Sequence, residues 1–398
     1  MIQRPSSFVT SLMLIGIFLV GAPGWSAPTQ PVRLASDLKH LPGYKVNSLE
    51  FKPRVGKVLG GLRYANVPYG YPSAVYLEAP VVALADYELI RRDFAQVKDL
   101  NDREIDRWLL ENATYLAESQ AQQGPAGYHP IQSQVSMDYS APKDAYRPEG
   151  YGRALIFAMP GGGYVDVKGA GASQPAYGSH ANGLATLSEG IREFLMEKAI
   201  SAAFEVDAAR NQGNGKELKT VGTYAVIYPG FEVYGVQSPS GMRNEAAGLI
   251  VRQAHIRYTA LDLVGHLGER DSVHVERILR QFGLSDTGFS QPALPYQGLN
   301  TQGASDGAIV DFGTFIAVNG FPKPLLGESG NVLLQPEEVQ VDPSLQVPLN
   351  VWSETELRSR VECWADAIRD HRLTPAELQE YAAEIQGDLN QRWGLGQN

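Results

Sequence analysis

The sequence predicts an α+β protein in two lobes, a mixed strand/helix N-terminal lobe followed by a mainly helical C-terminal lobe. Three local contexts carry that reading. Lys168 ends the alternating run Tyr164-Val-Asp-Val-Lys168, which follows the apolar stretch Ala154–Met159, Pro160 and a triple glycine, and it precedes Gly169-Ala-Gly171. Glu193 lies within the helical pattern of Leu184–Phe204. Asp311 opens Asp311-Phe-Gly313 behind the short apolar stretch Ala308-Ile-Val310.

Those parts, in that chain order, are the ones a protein-kinase-like nucleotide site needs. A strand lysine binds phosphates and pairs with a helix glutamate, and an aspartate after a later strand holds the metal. The chain of 398 residues is long enough for one large domain or two lobes with a substantial core. Its net charge of -10, with no basic tract, argues against a nucleic-acid partner.

The elements follow in order. Arg4 precedes an apolar run from Leu12 to Ala22, then Pro23, Gly24 and polar residues. Such a run is too short for a bilayer, which needs ~20 residues, and reads as a secretory signal peptide over 1–26. Cleavage after Ser26 sets small Gly24 and Ser26 at the two key positions, whereas cleavage after Ala27 sets bulky Trp25 there. The expectation is an exported, periplasmic or secreted protein with no further membrane contact, acting as a monomer. Residues 27 to about 75 are rich in Pro and Gly and read as irregular with a few extended segments. Ala79–Ser119 reads as mostly helical, and Gln122–Gly150 as a connection, so 27–150 forms a region packed on the rest.

Residues 152–168 read as strands with glycines, 169–182 as a loop, 183–204 as a helix and Thr220–Tyr228 as a strand. The stretch Ala247–Tyr258 carries Arg252, His255 and Arg257 among apolar residues. The part 151–260 is therefore the expected nucleotide-binding lobe. The part 261–398 is the expected helical lobe, with a helix at Val273–Phe282 and two capping boxes, Ser353-Glu-Thr-Glu356 and Thr374-Pro-Ala-Glu377. Cys363 is the only cysteine, so no intramolecular disulfide exists, and its helical setting beside Val361 and Trp364 predicts a buried thiol.

The candidate chemistry is phosphate and metal binding. An ammonium beside phosphates gains several charge interactions, and a helix glutamate fixes its mobile stem. A solvated surface pair is the bland alternative, worth under about 1 kcal/mol. Gly169 and Gly171 allow close backbone approach to a ligand and offer N–H groups to anions. Arg252 and Arg257, five positions apart, are suited to clamp phosphate oxygens. Asp311 is chemically suited to Mg²⁺. A rival constellation is Gly303-Ala-Ser305-Asp-Gly307 with Pro160-Gly-Gly-Gly-Tyr164, the spacing of an esterase nucleophile elbow and oxyanion loop. An elbow needs a strand before and a helix after its serine, and the pattern around Ser305 is the reverse. No zincin spacing and no Cys–His ligand cluster occurs.

At these residues the chain resembles the SelO family, the kinase-fold protein adenylyltransferases. Lys168-Gly-Ala-Gly171 resembles that family's Lys-Gly-Ala-Gly segment, and Ile191-Arg-Glu-Phe-Leu195 its glutamate helix, with Glu197 and Ala199 at like positions. Tyr64–Leu89 resembles its N-terminal segment, Asn300-Thr301 its Asn-Thr, and Val310-Asp-Phe-Gly-Thr-Phe315 its aspartate segment. Arg252 and Arg257 fall where the family carries two arginines, two residues closer together here. The likeness covers about Tyr64 to Phe315. It implies a kinase-like fold that binds ATP in an inverted orientation, with Mg²⁺ or Mn²⁺, and transfers AMP to protein hydroxyls. Lys168 would contact phosphates, Glu193 orient it, Arg252 and Arg257 hold the nucleotide, and Asp311 bind the metal.

The chain departs from that pattern after Asn300-Thr301. Gln302 and Gly303 stand where the family has its aspartate base and asparagine metal ligand. Asp306, three residues on, is the candidate substitute base or ligand. Asn182-Gly183-Leu184 replaces an Asp-Gly-Arg, which removes one phosphate contact. Loss of those groups makes a nucleotide-binding pseudoenzyme the alternative expectation.

Overall fold

In the computed structural model the described residues are 58–59, 62–63, 73–118, 120, 137–145, 153–171, 183–210, 218–238, 241–255, 275, 277–286, 302–303, 308–317, 325–326, 332–334 and 354–383. All fall within one unit, Arg33–Asn398. The expected signal segment lies outside them. No helix among them is long and apolar enough to cross a membrane.

Short β1 (Val58–Leu59) and β2 (Leu62–Arg63) pair with each other. After β3 (Ser73–Leu77) comes β4 (Val81–Ala85). Asp86 caps α1 (Tyr87–Asp93) by accepting from the Leu89 amide at 2.9 Å. Asn101 and Glu104 form a reciprocal capping box on α2 (Asp102–Ala113). Then β5 (Tyr115–Ala117) and β6 (Met137–Asp144) pair on either side of β3. The pattern read as mostly helical over 79–119 thus includes two strands, β4 and β5. Val81-Val-Ala-Leu-Ala85 is a short apolar run whose periodicity does not separate strand from buried helix, and pairing with a later strand decides it.

The main sheet is antiparallel. Its strands are β4, β7 (Ala154–Ala158), β8 (Tyr164–Lys168), β9 (Ala185–Thr186), β10 (Thr223–Tyr228), β11 (Glu232–Ser238) and β12 (Gly241–Gln253). The path runs β4-β10-β12-β8-β7, with β9 and β11 also on β12. Helix α3 (Leu187–Arg210) lies between β9 and β10 in sequence and is buried on most of its circumference. Gly190 lets it cross close to the sheet, since a β-carbon there would come 2.7 Å from Val226 Cγ1.

Alternation along the strands divides two cores. Leu155, Phe157, Val165, Val167, Leu249 and Val251 face one side and pack with Ile90, Phe94, Ile105 and Leu109. On the other side α3 packs with Val226, Val275, Ile278, Leu279, Phe282, Ile309 and Phe312. Leu357, Val361 and Ala365 of α4 (Glu354–Arg369) join the same cluster. Residues on both sides of the expected division at 260 therefore share one core.

Beyond 260 the described residues combine helices with short strand pairs. β13 (Leu284–Asp286) pairs with β16 (Phe315–Ala317), β14 (Gln302–Gly303) with β15 (Ile309–Val310), and β17 (Leu325–Leu326) with β18 (Val332–Leu334). The helices there are a short one at 277–281, α4, and α5 at 375–383 with the expected Thr374/Glu377 capping box. Cys363 is exposed, not buried. It falls between the inward Val361 and Ala365 on α4, on the outer part of the turn.

Candidate functional site

Strand periodicity places the first charges. Asp166 and Lys168 are two apart on β8 and share the face turned toward α3, while Val165 and Val167 face the other core. Across the ladder Arg252 on β12 stands opposite Asp166, and Ile250 opposite Lys168. Directly opposed residues share a face, so Arg252 joins the same side. On α3, Glu189 and Glu193 are four apart and present their carboxylates together.

Asp311 arrives from a third direction. Its strand β15 is tethered to the segment ahead of β10, with Val221 N–H donating to Ile309 O at 2.8 Å and Ile309 N–H to Lys219 O at 2.9 Å. Phe312, fully buried against α3, anchors the chain just past it. Asp311 itself has φ of 67°, a left-handed conformation that a non-glycine residue adopts only when its surroundings enforce it.

These elements converge on one buried ionic cluster. Lys168 Nζ lies 2.5 Å from Glu193 Oε2, 3.1 Å from Glu189 Oε1 and 3.3 Å from Asp311 Oδ1. Arg252 Nη1 donates to Glu193 Oε1 at 3.0 Å and to Asp311 Oδ1 at 2.9 Å. Its Nη2 and Nε both reach Asp166 Oδ1, at 2.7 and 3.0 Å. Arg153, just ahead of β7, forks onto Glu189 at 2.5 and 2.9 Å. Asp166 Oδ2 lies 3.9 Å from buried His255 Nδ1.

Burial works against charge on Lys168, yet Asp311, Glu193 and Glu189 outweigh it and hold the ammonium above the usual lysine range. The Lys168 ammonium is thus charged at neutral pH. Among the described residues the cluster brings Lys168, Arg252 and Arg153 against Asp166, Glu189, Glu193 and Asp311.

Lys168, Glu193, Arg252 and Asp311 are therefore neighbours, while Arg257, Asp306 and Ser305 lie outside the described residues. Gln302, at the position where the resemblance leads one to expect an aspartate base, pairs with Val310 across β14 and β15, next to Asp311. Sequence reasoning did not single out Asp166, Glu189 or Arg153. The first two carried a usable signal, the strand period back from Lys168 and one helical turn back from Glu193.

Arg252 and the two glycines are also engaged within the protein. Arg252 has no solvent exposure and is engaged with three carboxylates, so it organises the acids around it. Gly169 and Gly171, expected to offer N–H groups to an anion, already donate theirs to Arg153 O and Gly183 O, both at 2.8 Å. Their glycine character has another cause: both have φ of 89°, and a β-carbon on Gly169 would sit 2.5 Å from Gly248 O. The triple glycine forms the exposed turn of the β7–β8 hairpin, closed by Met159 N–H on Gly163 O at 3.0 Å.

The fit of a divalent cation to the described residues turns on Asp311. Mg²⁺ takes one or two carboxylates plus waters and phosphate oxygens, and Asp311 supplies such a carboxylate. Among the described residues no group of three or more His, Cys, Asp or Glu is arranged to hold a metal by itself.

The chain is thus an α+β protein whose antiparallel sheet and buried helix enclose a lysine–arginine–carboxylate cluster. Comparison with protein-family models finds no match, and comparison with curated proteins finds none either.

Proposed function

We propose that this chain is a SelO-like nucleotidyltransferase with a two-lobed, protein-kinase-like fold, moving AMP from Mg-ATP (or Mn-ATP) to hydroxyl groups of a protein substrate. One observation carries the reading. The Lys168 ammonium, from a strand, has Glu193 of a helix and Asp311 of a distant segment just past β15 within 3.3 Å. Buried ion pairs are poor stabilisers compared with apolar packing, so a cluster of this size suggests retention for chemistry. The left-handed backbone at Asp311 agrees with a position held for a metal-bound nucleotide.

In this reading the substrate hydroxyl oxygen attacks the α-phosphorus, a P–O bond forms, and the α–β anhydride bond breaks to release pyrophosphate. Lys168 neutralises charge on the phosphates, and Glu193 with Glu189 holds its stem in place. Asp311 would hold the cation, which supplies charge neutralisation to the phosphate chain. Asp306 is the candidate acceptor of the hydroxyl proton. Catalysis rests on positioning and charge compensation, as phosphoryl-type transfer allows. Incubation with α-labelled ATP, Mg²⁺ or Mn²⁺ and candidate proteins tests this. Label on the chain or a partner that disappears in Lys168→Ala is the expected result, and wild type indistinguishable from that variant counts against it.

A second reading, a nucleotide-binding pseudoenzyme, is favoured by Gln302 and Gly303. Their backbones pair beside Asp311, in a place where neither residue type offers a carboxylate. Thermal stabilisation by Mg-ATP without any label transfer would select it.

A further inference from the structure

The turn behind Lys168 spends its backbone donors inside the protein, since the Gly169 and Gly171 amides serve Arg153 O and Gly183 O. Another donor lies against it. A β-carbon built on Gly171 would come 2.8 Å from Gln120 Cβ and 3.0 Å from its Cγ. The segment is fixed there by Ala117 N–H donating to Ala170 O at 2.8 Å. Gln120 is 2 % exposed, yet its Nε2 has no hydrogen-bond partner among the described residues. A carboxamide donor stripped of water and left unpaired is costly, and native structures pair nearly all such groups. An apolar residue of the same size would fill the space without that cost.

We propose that Gln120 is a ligand-binding residue beside the Gly169–Gly171 turn, its Nε2–H donating to an oxygen of the bound polyphosphate. The inference rests on the nucleotide reading above. It gives the glycine turn a different use: Gly171 lacks a side chain so that Gln120 can lie against the backbone three residues past Lys168. The amide adds directional recognition of an oxygen without adding charge.

The test measures affinity of the full chain for Mg-ATP and for tripolyphosphate in wild type, Gln120→Met and Gln120→Glu. Gln120→Met should melt at or above the wild-type temperature, because an orphan donor is removed at nearly constant volume. It should bind both ligands about tenfold more weakly. Gln120→Glu, the same size but anionic, should lose at least as much, and it decides the matter if the methionine variant does not fold. Wild type that binds with the variants unchanged overturns the role of Gln120 and leaves the nucleotide reading standing. Wild type that binds neither ligand overturns the nucleotide reading itself, and this inference with it.

Discussion

Arg252 and Asp166 face each other across adjacent antiparallel strands, and the guanidinium closes on one carboxylate oxygen at 2.7 and 3.0 Å. Both side chains are without solvent exposure. The same guanidinium reaches Glu193 and Asp311, so one planar group ties β8, α3 and β15 together. Removing one partner of such a buried set leaves charge uncompensated. Arg252→Met should therefore destabilise by about 3–5 kcal/mol. Arg252→Lys, a single point donor where a fork is needed, should recover only part of that. Urea unfolding measures both, and a methionine variant within about 0.5 kcal/mol of wild type would contradict the hub role.

Lys168 allows stability and function to be separated. In Lys168→Met the buried Glu193 loses its 2.5 Å partner, so unfolding free energy should fall by several kcal/mol, on the order of 3. Adding Glu193→Gln removes the carboxylate that then has only Arg252 against it, and the double variant should regain part of the loss. Nucleotide-induced stabilisation should stay absent in both. Recovery of nucleotide response together with stability would show that the ammonium is a structural counter-ion only.

Gly169 is where the sheet and the turn come closest. Its φ of 89° is unfavourable for any L side chain, and a β-carbon would sit 2.5 Å from Gly248 O and 2.9 Å from Ala185 Cβ. Neither neighbour is the yielding end of a long side chain. Gly169→Ala should destabilise by about 2 kcal/mol or more. Gly162, also at positive φ but in open space on the hairpin turn, should lose less on the same change. Equal melting temperatures for the two alanine variants would remove the packing explanation.

Much of the central sheet was legible in the sequence, and for one reason. Between Ala154 and Tyr228 strand, helix and turn signals succeed one another without overlap, so β7, β8, α3 and β10 stand close to their expected places. The run Val81–Ala85 was not legible, because five apolar residues fit either period until β10 pairs with them. The stretch around Arg252 hid a thirteen-residue strand, because buried central strands do not alternate. Within the site, Lys168, Glu193 and Asp311 were visible through their neighbours in sequence. Asp166 and Glu189 were legible only through the strand period back from Lys168 and the helical turn back from Glu193, and Arg153 carried no such signal, since its place comes from contact with α3.

Lys143 offers a pH measurement away from the site. Its ammonium donates to Asn112 O at 2.7 Å and lies 5.0 Å from the Tyr115 ring centre and 5.5 Å from that of Phe157. Burial pushes its pKa down to about 8. In the unfolded chain the same group titrates near ~10.4. Between those values the unfolded state binds more protons than the native state, so this group's contribution to stability rises with pH across that window. Below it both states are protonated, and the full desolvation cost persists. Lys143→Met removes the titration, so its stability relative to wild type should be highest near pH 7 and fall by about 2 kcal/mol on reaching pH 10. Lys168 and Lys198, both held above the ordinary lysine range, lose their contributions only at still higher pH. They are common to both proteins and cancel in the difference. Urea midpoints at a series of pH values supply the comparison, and a difference that stays flat from pH 7 to 10 would show that Lys143 keeps an ordinary affinity for its proton.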